Sequence, residues 1–470
     1  MAPACCKSGM GQGSIARLLF WFSFPSALGL IANALYNIID RLFIGRCAGA
    51  DALGAVGLAF PLTIFVSALG GLVGTGAASQ MSRFLGEGRG DKARRVLGTS
   101  AVAMALLSAA VAAAALLSID GLVSALGASE SLFRDAKAYV GVVLWGMPFA
   151  LMSFSLGGLI RAEGSPRYAM WTLVIGAALN ISLDWLLVAR LGMGVRGAAI
   201  GTSLAQAASF AHAAAFYLRG KGRFRFSEIT FSPDLEILRE MLLIGASPFC
   251  MQMFYALCMM FFNNTVASLG GDAAVAAMGI FFSLDDLIYI PVFGIGDGLQ
   301  PIVGYNYGAC ESDRVRTAIK YALAAGTAYF AVSFAVAEAF TPFLVRPFTS
   351  DAGVADLAVR AMRIGYMGMP FAAAGIVASS AFLAIGRPGA SLFLDFCRQG
   401  LIFLPALLFL PRAVGLDGAW GCFVAVDAGG GAVGMAMLLL FRDAFGGRHA
   451  ERGRGRGRGM YSPAGDAASD

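Results

Sequence analysis

The chain has 470 residues, 58% of them hydrophobic and 14% charged, with mean hydropathy +0.72 and a formal net charge of +6. Soluble globular domains carry about 25% charged residues, so this composition excludes them and describes a polytopic membrane protein. The basic residues sit in short loops, where topology rather than nucleic acid accounts for them. Eight cysteines form no CxxC pair, and only His212 and His449 accompany them, so a zinc or haem site has no support.

A membrane helix needs about 20 apolar residues, and twelve spans are predicted: 16–40, 53–79, 94–118, 137–160, 168–189, 197–218, 238–263, 273–300, 318–341, 358–380, 391–411 and 417–441. The first is read as a retained helix, because no small-residue cleavage site follows a short apolar core, and Cys5–Cys6 likewise lack a preceding apolar signal region. It carries Pro25 inside and Asp40 near its far end. The proline removes a backbone hydrogen bond and makes a bend expected. A carboxylate at membrane depth costs a few kcal/mol, so it faces protein or water and binds something. Two readings stand for Asp40: a cation-binding acid on a moving helix, or an interfacial partner of Arg41.

Short loops with turn residues follow, such as GEGRGD at 86–91, EGSP at 163–166 and GRPG at 386–389. An even number of spans puts both chain ends on one side. The loops of that side hold most of the Lys and Arg, including Arg83, Arg89, Lys92, Arg94 and Arg95, then Arg219, Lys221, Arg223 and Arg225, so both ends are expected in the cytoplasm.

An internal repeat organises the spans. Gly146-Met147-Pro148-Phe149-Ala150 returns 222 residues later as Gly368-Met369-Pro370-Phe371-Ala372. Gly74-x-Gly76 returns as Gly296-x-Gly298, Gly86 as Gly308, and Gly164-x-Pro166 as Gly386-x-Pro388, all at the same spacing. Two six-span halves have the same membrane orientation, which makes parallel repeats facing one another across a cleft. The expected division is an N lobe at 1–218, a basic cytoplasmic linker at 219–236, a C lobe at 237–445 and a disordered Arg/Gly-rich tail at 446–470.

Span five places Asn180 and Asp184 one turn apart on one helix face. Counted from Tyr168, they lie about 18 and 24 Å along the helix. Thr202, entering from the opposite side in span six, reaches about the same level in a core of about 30 Å. With Asp40 these make four oxygen-bearing side chains in the outer half of the N lobe, suited to a hard cation such as Na⁺ or, on either acid, to a proton. A helix–helix hydrogen-bond pair is the competing reading of Asn180 and Asp184. Span eight holds Asp285-Asp286, then Asp297 and Gln300 before Pro301. The adjacent acids point about 100° apart. They either line the cleft and draw in cations, or cap a break or pair with Arg398. Phe281, Phe282, Tyr289 and the group Met251, Met253, Met259 and Met260 are candidates for an adaptable apolar wall of that cleft.

On these residues the chain resembles the multidrug and toxic compound extrusion (MATE) family, over about 14–441. Pro25 to Asp40, ALGAVGLAFP at 52–61, Gly74-x-Gly76 through Gly86, the span-five pair, GLQPIVGYNYGA at 298–309 and both GMPFA segments carry the resemblance. It implies twelve transmembrane helices in two pseudo-symmetric six-helix lobes, an all-α polytopic membrane protein. It further implies a non-enzymatic, monomeric antiporter of a bacterial or archaeal cell membrane. Such a protein exports small amphipathic cations in exchange for Na⁺ or H⁺, with membrane lipid around it and no nucleic acid or cofactor beyond the ion. Asp40, Asn180, Asp184 and Thr202 match the family's N-lobe cation positions, and would be the Na⁺ ligands if sodium is the ion. Span seven offers Asn263-Asn264 and span ten no acid, so the C-lobe site of some members is not expected. The alternative is a lipid-linked sugar flippase of the same superfamily, which would need cationic side chains in the cleft, where only Arg398 stands clearly inside a span. A membrane enzyme lacks any HExxH, paired histidines or GxSxG here.

Overall fold

The computed structural model describes residues 9–125 and 130–446; Cys5, Cys6 and the Arg/Gly-rich tail from 447 onward lie outside the described residues. Apart from short 3₁₀ and π turns, the described residues form α-helices and turns, without strands. They run α1 (Ile15–Cys47), α2 (Ala50–Leu58), α3 (Phe60–Gly86), α4 (Gly90–Leu117), α5 (Ile119–Ala125), α6 (Glu130–Ala162), α7 (Pro166–Leu183) and α8 (Gly194–Leu218) in the first half. The second half has α9 (Leu235–Gly308), α10 (Ser312–Val345), α11 (Ala352–Gly365), α12 (Met369–Ala384), α13 (Pro388–Phe396), α14 (Leu404–Val414) and α15 (Leu416–Leu440). A π-helical stretch, Asp184–Arg190, continues α7, and another, Cys397–Phe403, joins α13 to α14.

Ten helical stretches among the described residues are long and apolar enough to cross a membrane. One of them is α9, whose 74 residues make two crossings. Its backbone leaves the helix at Gly271, where φ is 60°, a conformation that only glycine adopts freely. Phe262 and Phe282 on either side of that break lie ring to ring at 6.0 Å, whereas a straight helix would hold them about 30 Å apart. The 25-residue α8 is less apolar but packs between α6 and α7 and completes the N lobe. Twelve crossings therefore form two lobes of six, α1–α8 and α9–α15, with α2 and α5 as short extra helices.

Two predicted spans are split in the structure. The segment at 53–79 breaks at Ala59, because Pro61 in the first turn of α3 cannot extend a preceding helix. Span ten breaks at a 3₁₀ turn, Tyr366–Gly368, between α11 and α12. In the first repeat, Pro148 stays inside an unbroken α6. The equivalent of Gly365 there is Val143. Glycine weakens a helix by about 1 kcal/mol, and the Phe281 ring fills the space where a Cβ at Gly365 would stand, 2.7 Å away.

The lobes meet through reciprocal contacts that follow the repeat. A Cβ at Gly86 would lie 1.9 Å from the Tyr305 carbonyl oxygen, and one at Gly308 would lie 2.2 Å from that of Arg83. Arg83 and Tyr305 are themselves 222 residues apart, so a pseudo-twofold axis runs between them. Only glycine permits backbones this close. Around that point Ser79 Oγ donates to Leu383 O at 2.5 Å, Gln80 Nε2 to Ile237 O at 3.1 Å, and Arg83 pairs with Glu240 at 2.7 Å. The described hydrogen bonds between lobes all lie in the half of the bundle where α1 begins and α15 ends. These contacts hold that half shut.

Candidate functional site

Between the lobes, and mostly within the N lobe, lies a cavity of about 550 Å³. Its charged lining residues are Asp40, Arg161, Asp297, Asp395 and Arg398, and Asn180, Thr202 and Gln300 also face it.

The structure brings Asp40, Asn180, Asp184 and Thr202 together. Asp40 comes from the last third of α1, Asn180 and Asp184 from the α7 helix and its π continuation, and Thr202 from α8. Asp184 is fully buried, Asn180 and Asp40 nearly so. The two carboxyls are neighbours, with Tyr36 and Tyr139 beside them. Asn180 Nδ2 donates to Thr202 Oγ1 at 3.2 Å. A Cβ at position 201 would sit 2.9 Å from Asp184 Oδ1, so Gly201 makes the space for that carboxylate. Arg41 does not pair with Asp40; its guanidinium lies over the Phe60 ring, 5.2 Å from the centroid.

What distinguishes the cluster is its want of donors. Asp40 Oδ1, Asn180 Oδ1 and both carboxylate oxygens of Asp184 are buried with no hydrogen-bond partner in the protein. An unpaired buried carboxylate is costly unless a cation or proton accompanies it. Oxygen ligands from two acids, an amide and a hydroxyl suit Na⁺. Among the described residues no cluster of three His, Cys, Asp or Glu side chains gathers as for a transition metal.

The C-lobe candidates fare differently. Gln300 lines the cavity and reaches the Thr75 carbonyl at 3.5 Å. Asp297 also lines it and pairs across the lobes with Arg161 at 3.6 Å. Phe281 is a correction: it is 1% exposed, enclosed by Phe282, Tyr366, Trp420 and Phe423, and belongs to the aromatic core of the C lobe rather than to a cleft wall. Met259 packs half-buried against the same core, and the Tyr289 hydroxyl donates to Asp427 Oδ2 at 2.5 Å. Neither faces the cavity. Asp285 lies near Asp427 inside the lobe, away from the cavity, while Asp286 is exposed and feels the charge of Arg41 on the opposite lobe.

Sequence reasoning passed over two acids. Asp395 accepts from Ser247 Oγ at 3.2 Å and from Ser379 Oγ at 3.5 Å, and Arg398 is its nearby cation. Asp427 is buried in α15. Both stand within predicted spans, so the rule that singled out Asp184 applied to them equally.

Two lobes built on a parallel repeat, closed at one end around a polar cavity, are the architecture of a secondary transporter. The MatE family profile matches residues 25–186 and again 248–408, one match per lobe. The chain belongs to this family, and is a multi-pass membrane transporter rather than an enzyme. It is 24% identical over 432 residues to the multidrug export protein MepA of Staphylococcus aureus (strain NCTC 8325 / PS 47), covering 92% of this chain and 95% of MepA. It superimposes on a crystal structure of MATE in complex with MaL6 with a TM-score of 0.88 at 26% identity, covering 93% and 98% of the two chains. An outward-facing multidrug resistance MATE family transporter gives a TM-score of 0.88 at 25% identity, over 94% and 98%.

Proposed function

We propose that the chain exports small amphipathic organic cations in exchange for inward-moving Na⁺ or H⁺, the ion being taken by Asp40, Asp184, Asn180 and Thr202. The observation that carries this reading is the set of buried carboxylate and amide oxygens there without any protein donor. The multidrug names of the relatives support the substrate class. So does the cavity, whose three carboxylates outnumber its two guanidiniums.

In this reading the halves 1–218 and 237–445 are the moving bodies, both chain ends are cytoplasmic, and the shut end is the cytoplasmic one. The cavity then opens outward, and the ion enters from outside. Once Na⁺ or a proton neutralises the acid pair, the N lobe holds a cationic substrate less firmly. Pro25 supplies the point at which α1 bends and narrows the cavity. Exchange requires the ion to bind the two cavity states unequally, and reciprocity then requires substrate to weaken ion binding. The flippase alternative is weaker, because Arg161 and Arg398 each stand beside an acid and leave no free cationic surface for a diphosphate.

The test is purified protein in proteoliposomes with Na⁺ and H⁺ gradients imposed separately and a fluorescent organic cation as cargo. Uphill movement of the dye under one or both gradients is expected. Dye movement that ignores both gradients contradicts the reading.

A further inference from the structure

A second cavity, of about 770 Å³, lies at the shut end, outside the central one. Its floor is the start of α1 and the start of α7, and its rim carries Arg17, Arg167 and Lys221. Among the described residues none of the three forms an ion pair and no carboxylate lines the cavity. Aromatic rings stand beneath the charges: Arg167 lies 3.6 Å over Trp21 and Lys221 lies 5.4 Å over Tyr168, with Trp171 beside them. Stacking of this kind positions the cations while leaving their N–H groups free to donate.

We propose that this cavity binds the phosphate headgroup of an anionic phospholipid in the leaflet where α1 begins. Three cations around one cavity without an acid select an anion, and arginine in particular suits phosphate oxygens. The location selects a lipid over a free anion. Both helices enter the membrane here, and tryptophan and tyrosine gather at that depth. From Trp21 the exposed, mutually stacked rings of Phe20 and Phe24 continue along α1 as a track for an acyl chain.

The opposite wall is the segment Met10–Gly13, which the C lobe holds. Asn306 Nδ2 and Arg314 Nη2 both donate to Met10 O at 3.1 Å, and Arg314 Nη1 to Gly13 O at 3.1 Å. A headgroup seated between Arg17 and this segment touches a stretch that Asn306 and Arg314 of the C lobe hold, and so favours the state shut at this end.

The experiment is fluorescence quenching by phospholipids with brominated acyl chains, in vesicles holding the full-length protein. Trp145 and Trp185, both exposed elsewhere, are first replaced by Phe, leaving Trp21, Trp171 and the buried Trp420 as reporters. Brominated phosphatidylglycerol at low mole fraction should quench about tenfold more effectively than brominated phosphatidylcholine, and each of Arg17→Gln, Arg167→Gln and Lys221→Gln should reduce that preference about twofold. The triple variant should show none. Phosphatidylglycerol should also raise the melting temperature of the parent protein but not of the triple variant. Equal quenching by the two lipids, or a preference surviving in the triple variant, overturns the proposal. Displacement of the brominated lipid by millimolar inorganic phosphate overturns the lipid assignment and leaves a free-anion site.

Discussion

In the N lobe, Asp40 and Asp184 are neighbours with oxygens that no donor reaches. In the C lobe, Asp395 receives two serine hydroxyls beside an arginine, and Asp427 receives the Tyr289 hydroxyl. The lobes share a repeat and a fold, and both bury acids at membrane depth. They differ in whether the protein itself supplies the compensating partner. Where it does, the acid is fixed in one arrangement. Where it does not, the proposed ion would complete the site, and its arrival and departure would then be available to drive a change of state.

The largest expected effect follows from removing the uncompensated acids. Asp40→Asn and Asp184→Asn should each lower gradient-driven export roughly hundredfold, the upper range of a coupling free energy, with the protein still monodisperse in detergent. Asp395→Asn should keep its response to the driving ion even if its rate drops. Full export by both N-lobe variants, measured in proteoliposomes, would dissolve the distinction between the lobes.

The C-lobe acids should instead register in stability. Tyr289→Phe leaves Asp427 without its hydroxyl donor, at a cost of about 2–3 kcal/mol, so thermal unfolding should move to lower temperature. The same change should leave the ion dependence of export as it was. A Tyr289→Phe protein of unchanged stability but altered ion dependence would assign the C lobe a coupling role.

A smaller effect belongs to the loop edge of the N lobe. Glu163 is buried between α6 and α7, where its Oε2 accepts the Arg223 backbone N–H at 2.8 Å. Burial raises its pKa from 4.5 to about 7, against the lowering effect of that hydrogen bond. A carboxyl that binds its proton more tightly in the folded protein contributes stability below its unfolded pKa, and this is lost as pH rises through about 7. Limited proteolysis of the 219–225 segment should therefore quicken between pH 6 and 8, and Glu163→Gln should remove that dependence. Cleavage equally fast at both pH values in the parent protein would place no latch there.

Much of this contrast was legible in the sequence. The 222-residue spacing gave the two lobes, and the contact of Gly86 with Tyr305 and of Gly308 with Arg83 shows why those glycines recur. Asp40, Asn180 and Asp184 stood out because acids and amides deep in apolar spans need a reason. Asp395 and Asp427 satisfied the same criterion, but Arg398 drew the reading of span eleven. The direction of a side chain was harder to read. Phe281 lies at the right depth for a cleft wall, yet helix packing turns it into Gly365, and depth along a span carries no information about which face meets a neighbour. Likewise both GMPFA segments read alike, and one glycine three residues upstream separates a continuous helix from a broken one.

The most direct measurement is the shift in melting temperature of detergent-purified protein on adding Na⁺ at constant ionic strength and, separately, on lowering pH. A ligand that binds only the folded state stabilises it by RT ln(1 + L/Kd), where L is the free ligand concentration. The account predicts that at least one of these ions stabilises the parent protein and Asp395→Asn, and that the stabilisation disappears in Asp40→Asn and Asp184→Asn. Stabilisation that persists in both N-lobe variants and vanishes in Asp395→Asn would contradict it.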